Sequence, residues 1–327
     1  MAFSGDAFSP KQFTMGFQAE TAVGTAVVSA MLGLDIDSIS SPSLNPVQVL
    51  DVRSGAGRTL KEADFFQTDK GTVREISFSG TADSTSLPKL LTNITGDTAS
   101  AYSVLGTYNP PDISHGGTFA DYTGTVTVAI WSPESTNAKG LIFSGCVLTS
   151  LKISGDMTAE GGRVKVEGTF KTGYRPDLSP ASAPTISSFG STNYYMTTWD
   201  TTKTVHGVAN SVLGNFSLSL ENDAVFSGFQ GSNGEPEVIG RGSEFSAVLE
   251  AGLKYDSNTA LLLETWQNQT TSSALTELSN NATFGSATTF GIQIPTGFLV
   301  DASLNEGDVM GLNVSVKGTG NVVNVVA

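Results

Sequence analysis

Cysteine occurs once in 327 residues and histidine twice. A single Cys146 excludes an internal disulfide framework and a multi-cysteine metal site. A small apolar core position is the role left for it. Lysine and arginine total 17 against 31 acids, for a net charge of -14. The basic residues form no cluster, and a firm grip on phosphate needs several together, so specific nucleic-acid binding is not expected. No run approaches about 18 apolar residues, so no membrane helix is expected. The N-terminus, MAFSGDAFSPKQF, has no basic region followed by an apolar run, so no secretion signal is expected.

Catalytic chemistry is equally thin. A catalytic site needs polar groups converging in a cleft. His115 lies in a Gly-flanked loop and His206 at an expected strand end. The stretch GSNGEPE at 231–237 lacks the Gly-Lys-Ser/Thr of a phosphate loop. Asp35 and Asp37 offer too few oxygens for calcium. Paired carboxylates are plentiful, but no spacing singles out a pair. Trp131, Trp199 and Trp266 read as core or interface rings. No catalytic, cofactor-binding or metal-ligating residue is assigned, no cofactor is implied, and the chain is not expected to be an enzyme.

What the chain has is alternation. Thr, Ser and Gly are abundant and charged residues make up only 15%, a composition that suits short strands and turns. In residues 141–173, Val147, Leu151 and Ile153 fall on one face and Lys152 and Ser154 on the other. After Gly161-Gly162, Val164, Val166 and Phe170 alternate with Arg163, Lys165, Glu167 and Lys171. Period-two alternation around glycines marks a half-buried hairpin. The C-terminal stretch repeats it: Gly145 and Gly297 are each followed by a Gly-Asp, and Leu312, Val314 and Val316 alternate again. A second echo joins Asp83-Ser84 to Asp256-Ser257, each opening a short Leu-rich helix after a strand. Ser86 is the expected N-cap of the first helix. LGNFSLSLE at 213–221 echoes residues 32–39.

These echoes divide the chain. Residues 1–29 read as an N-terminal arm, carrying Phe3, Phe8, Phe13 and Phe17 for burial on its own domain or on a neighbouring subunit. Residues 30–173 form a first β unit with long loops at 40–72 and 97–121. The 40–72 segment reads as a projecting hairpin or loop anchored by Phe65-Phe66. Residues 174–192 are a Pro/Ser-rich linker, 193–320 a second β unit, and 321–327 a C-terminal tail. The fold class is mainly β: two tandem β-sandwich or barrel units, each with one short flanking helix. The arm and the 40–72 segment are expected to become ordered only on assembly.

Three stretches carry a resemblance. Residues 18–25, Gln-Ala-Glu-Thr-Ala-Val-Gly-Thr, resemble a Glu-Thr-x-x-Gly-Thr element near the N-termini of the major tail tube proteins of long-tailed, non-contractile (siphovirus-type) bacteriophages. Residues 145–155, with the Val-Lys-Val strand that follows, are similar to that family's late hairpin. Asn215-Phe216-Ser217-Leu218-Ser219-Leu220-Glu221-Asn222 is similar to a strand of its second half. The long loops have no match. The resemblance implies a virion structural protein, assembled in the host cytoplasm, whose β units join edge to edge into rings. The rings stack into a tube through which DNA passes without specific binding. It implies further partners in the tape-measure protein and the tail-end proteins, and no membrane. Two units per chain imply a homotrimeric, pseudo-hexameric ring, with a hexamer as the alternative. A net negative channel wall is expected. Another virion structural protein (a capsid decoration or tail terminator protein) or a carbohydrate-binding β-sandwich module are the other readings.

Overall fold

Alternating Val, Leu, Ile and Phe become strands through most of the computed structural model. It describes residues 13–40, 47–50, 65–68, 71–95, 124–132, 139–178, 180–187, 194–195, 203–209, 212–230, 234–242, 245–268, 272–279, 290–307, 309–318 and 324–326. The first half contains β1 (Thr14–Ala19), β2 (Leu32–Leu34), β3 (Ile36–Ser40), β4 (Val47–Leu50), β5 (Phe65–Thr68), β6 (Arg74–Thr81), helix α1 (Ser86–Thr95), β7 (Val126–Ser132), β8 (Lys139–Asp156) and β9 (Lys165–Thr172). The second contains β10 (Lys203–Val205), β11 (Val208–Ala209), β12 (Leu213–Glu221), β13 (Ala224–Ser227), β14 (Val238–Arg241), β15 (Ser246–Lys254), helix α2 (Ala260–Gln267), β16 (Ser273–Ser279), β17 (Gly291–Asn305), β18 (Gly311–Gly318) and β19 (Asn324–Val326).

The pairing scheme of β1–β9 recurs in β10–β18. The antiparallel pairs β1·β2, β1·β7, β3·β6, β6·β9, β7·β8 and β8·β9 become β10·β11, β10·β16, β12·β15, β15·β18, β16·β17 and β17·β18. Three register shifts recur as well. The one between Leu148 and Ser150 returns between Leu299 and Asp301, that between Val126 and Val128 between Ala274 and Thr276, and that between Ile36 and Ser38 between Leu213 and Asn215. A bulge adds one residue at a fixed place, so three shared bulges fix counterparts residue by residue. Leu148 answers to Leu299, Ile153 to Leu304, Phe170 to Val316, Thr81 to Lys254 and Ile36 to Leu213. Two sequence-read echoes move accordingly. Gly297 answers to Cys146 rather than Gly145, and Leu213 to Ile36 rather than Leu32.

The halves share one 15-stranded sheet, joined where β12 pairs with β8, while β4·β5 and β13·β14 stand apart as two-stranded ribbons. The long strands β8 and β17 each serve two groups of neighbours. The near half of β8 bonds β7 and its far half bonds β9 and β12. The two groups face each other over a core in which Phe17 of β1 meets Phe170 of β9 at 6.1 Å and Phe78 stacks on Phe170 at 5.7 Å. In the second half Phe290 meets Phe216 at 6.2 Å and Tyr195 at 5.3 Å.

Several expected boundaries change. Residues 14–19 are not part of an arm: β1 lies between β2 and β7, with Met15 and Phe17 buried in their own chain. Phe3 and Phe8 lie outside the described residues, as does the 97–121 loop. The 174–192 segment is not a free linker where it is described. Asp177 exchanges both backbone hydrogen bonds with Ile142, Thr185 and Ser187 bond across to Val28 and Met31, and Ile186 packs beside Trp131. Residues 324–326 of the expected tail form β19 on β17.

Both helices start on an aspartate. Asp83 Oδ1 accepts the N–H groups of Thr85 (2.8 Å) and Ser86 (2.9 Å), so Asp83 caps α1 in place of Ser86. Asp256 Oδ1 does the same for Asn258 (3.0 Å) and Thr259 (3.1 Å), and those bonds hold its carboxyl below the usual range. The helices differ in cover. Leu87, Leu90, Leu91 and Ile94 of α1 are all at most 1% exposed, at the i, i+3, i+4, i+7 spacing of one face. In α2, Leu262 is buried but Leu261 and Trp266 stand in solvent. Asp83→Ala is therefore expected to cost about 1–2 kcal/mol, and more than Asp256→Ala, measured as the shift in urea unfolding midpoint at unchanged slope.

Candidate assembly interface

The junction between the halves is an antiparallel strand pair. Leu218 lies opposite Ile153 and Leu220 opposite Leu151. All four side chains are at most 1% exposed. Asn222, at the end of β12, completes the seam. Its N–H donates to Thr149 O (2.9 Å), inside the β8 bulge, and its Nδ2 donates to Ile94 O (2.7 Å). The second bond satisfies a carbonyl in the last turn of α1, which has no partner within the helix.

Both partners of this junction have counterparts elsewhere in the chain. The counterpart of β12 is β3, bonded on one side only, to β6, among the described residues. The counterpart of the far half of β8 is the stretch 301–305 of β17, bonded on one side only, to β18, among the described residues. Burial follows. Ile153 is fully buried, and its counterpart Leu304 is 45% exposed. Thr149 is 5% exposed, and its counterpart Val300 is 40% exposed. On the other edge Leu213 and Phe216 are buried, whereas Ile36 and Ile39 are only partly buried. Among the described residues each edge thus lacks a strand partner on one side, and its core-facing side chains are less covered than their counterparts at the junction.

A second contact crosses the junction. The ribbon β13–β14 lies over β8, where Val147 is buried against Ala224, Phe226 and Ile239, flanked by Val23, Tyr174 and Phe229. Lys171 anchors the ribbon's base through Asp223 (2.9 Å) and reaches Glu75 at 3.4 Å. These carboxylates, Asp223 first, hold the Lys171 ammonium above its usual pKa.

Glu20 ties the 18–25 stretch into the first half. Its Oε2 accepts Gly24 N–H (2.8 Å), and its Oε1 accepts Gly145 N–H (2.8 Å) and the Thr127 hydroxyl (3.0 Å). Thr127 Oγ1 in turn accepts Val27 N–H (2.9 Å). Gly24 and Gly145 both have positive φ, 76° and 59°, and both touch the Tyr174 ring, where any side chain would collide with it. Burial raises the Glu20 pKa, and the bonds from Gly145, Gly24 and Thr127 hold it partly down.

The sheet face opposite the core is polar and forms two shallow troughs at counterpart places. The polar lining of one is Ser38, Ser40, Ser77, Ser79, Ser150, Lys152, Glu167, Thr169, Ser219 and Glu221, with Phe78, Leu151 and Leu220 at its floor; that of the other is Asn215, Ser217, Glu250, Asp301, Ser303, Asn313 and Ser315, with Phe216, Ala251 and Val314. Lys152 is the one cation in these linings and lies opposite Glu167 in the strand register. Nearby Lys165 is paired with Asp37 at 2.8 Å.

The remaining candidates do not converge. His115 and Trp199 lie outside the described residues. His206 and Gly207 form the β10–β11 turn, both at positive φ, and His206 Nε2 meets Ser272 O at 3.0 Å. Asp37 is taken by Lys165, and Asp35 bonds Thr81 through its backbone. Cys146 is fully buried, and burial pushes its thiol pKa well up. Trp131 is a core ring and Trp266 a surface one. Among the described residues no group of three His, Cys, Asp or Glu side chains is placed to hold a metal ion, and no helix is long and apolar enough to cross a membrane. No family model matches the sequence, and a search of curated proteins finds no match.

Proposed function

We propose that the chain is a structural virion protein, the subunit of a phage tail tube, and that three copies close each ring. The observation that carries this reading is the pair of uncovered edges, β3 and the far half of β17, which are counterparts of the two strands that already pair inside the chain. An open strand edge is a template for another chain. Repeating the internal junction between copies is a head-to-tail contact, which closes into a ring or runs on as a filament. Each chain brings eight strands to the continuous face, in the order β3-β6-β9-β8-β12-β15-β18-β17. With strands about 4.8 Å apart and tilted by up to about 40°, three copies give a barrel of about 18–24 Å backbone radius. That bore admits a nucleic-acid duplex.

The polar troughs face the bore in this arrangement. Ser, Thr and Asn hold water, and Glu167, Glu221, Glu250 and Asp301 outnumber Lys152, so phosphates meet no cationic trap. A carbohydrate platform fits less well, because the rings of Phe78, Phe170 and Phe216 are buried in the core and present no exposed face for a sugar to stack on. Tape-measure and tail-end proteins are the partners this role implies.

Carrying the internal register to the free edges sets Ser40 of one copy opposite Asn305 of the next. The double variant Ser40→Cys/Asn305→Cys is expected to oxidise, in assembled protein, to a ladder that stops at three chains. Native Cys146 is fully buried and does not compete. A ladder reaching six chains would overturn the three-copy ring; no ladder from assembled tubes would overturn the edge pairing.

A further inference from the structure

We propose that the β4–β5 ribbon is a clasp for the next copy in the ring, seated over Phe298 of that copy. This rests on the edge-to-edge ring above and names a second contact within it. The ribbon β13–β14 is inserted between β12 and β15, yet packs across the junction on Val147 of the first half. The ribbon β4–β5 is inserted at the same place, between β3 and β6. Val47 stands seven residues after Ser40, and Ala224 seven after Ser217, the counterpart of Ser40. On the return side, Arg74 stands six residues after Thr68, and Ala247 six after Arg241.

The registers also match. Val49 pairs with Phe66 in one ribbon as Phe226 pairs with Ile239 in the other. Positions 49 and 66 are thus apolar where Phe226 and Ile239 bury Val147. Connectors of equal length give the two ribbons equal reach from their edge strands. On its own chain β4–β5 has no further strand partner among the described residues.

The receiving surface has its own counterpart. Val147, opposite Lys171, answers to Phe298, opposite Lys317. Val147 is fully covered by β13–β14, whereas Phe298 is half-exposed and Val300 two residues on is 40% exposed. If β3 of one copy lies against β17 of the next as β12 lies against β8, the equal connectors carry β4–β5 onto Phe298. The ion pair is not repeated: Pro46 stands where Asp223 bonds Lys171, so this contact is apolar.

A benzophenone amino acid placed at Phe66, in tubes mixed from isotope-labelled and unlabelled protein, tests the clasp. The expected result is a cross-link joining residue 66 to the peptide bearing Phe298 of a different copy, its yield lowered at least tenfold by Phe298→Asp. A link within one copy, or to another surface, overturns the proposal. If the Ser40/Asn305 ladder forms and the cross-link goes elsewhere, the clasp fails and the ring stands. If neither forms in assembled protein, the ring reading fails beneath it.

Discussion

Leu304→Asp is expected to abolish assembly and leave the subunit folded, while the same change at its counterpart Ile153 unfolds it. The two residues occupy one place in the duplicated scheme and differ in what covers them. Ile153 lies beside β12, opposite Leu218, and is fully buried. A carboxylate there loses its hydration without gaining a partner, which costs several kcal/mol of a total of about 5–15. Leu304, 45% exposed at an unpaired edge, leaves a substituted carboxylate in water until another copy arrives. Charges on strand edges are a common protection against edge pairing. The expected record is a melting temperature within a few degrees of the parent, with sedimentation showing single subunits at concentrations where the parent forms rings. Intact tubes of the Leu304→Asp protein would sink the edge interface.

The long strands β6, β8, β9, β12, β15, β17 and β18 were legible because one face is buried and the other wet, so the side chains alternate. The Gly161-Gly162 turn follows from the same logic, both glycines having positive φ, and so do the helices after Asp83 and Asp256. The duplication was visible for a related reason: the two halves bury the same faces. Its register was not visible to the residue. A bulge inserts one residue into an alternating pattern, and from the pattern alone the insertion reads as a slip. That is why Gly297 falls beside Cys146 and not Gly145. β1 read as an arm because Met15, Gly16 and Phe17 are buried in succession, which leaves no alternation to see. The hold on residues 177–187 is largely backbone hydrogen bonding, which carries no side-chain signature.

The interface was harder to read for a different reason. An open edge is defined by the missing neighbour, and β3 and β12 look alike as strings of residues. Only the strand pairing in the folded chain separates the covered strand from the uncovered one. Residues 18–25 stood out by resemblance, but what Glu20 does required Thr127 and Gly145, more than a hundred residues away, to be brought against it.

Glu20→Ala is expected to destabilise the subunit by about 3–5 kcal/mol, since each donor left unsatisfied in a buried place costs about 1–3 kcal/mol. The N–H groups of Gly24 and Gly145 and the hydroxyl of Thr127 lose their acceptor together. Glu20→Gln keeps the shape and one acceptor oxygen but turns an NH2 toward a donor, so a smaller loss is expected, about 2 kcal/mol. The two variants separate shape from charge through their pH dependence. Burial leaves the Glu20 pKa above its ordinary value in the folded chain. The folded state therefore holds the proton more tightly than the unfolded one. For a raised carboxyl this stabilisation is complete below the unfolded pKa and is lost as pH rises through the folded value. The advantage of the parent over Glu20→Gln should accordingly be larger at pH 4 than at pH 7, narrowing across the range just above ordinary carboxylate titration. Urea unfolding of the parent and both variants at a series of pH values measures this directly. A gap that widens with pH would mean that the three donors outweigh burial and hold the carboxylate charged, reversing the sign assigned here.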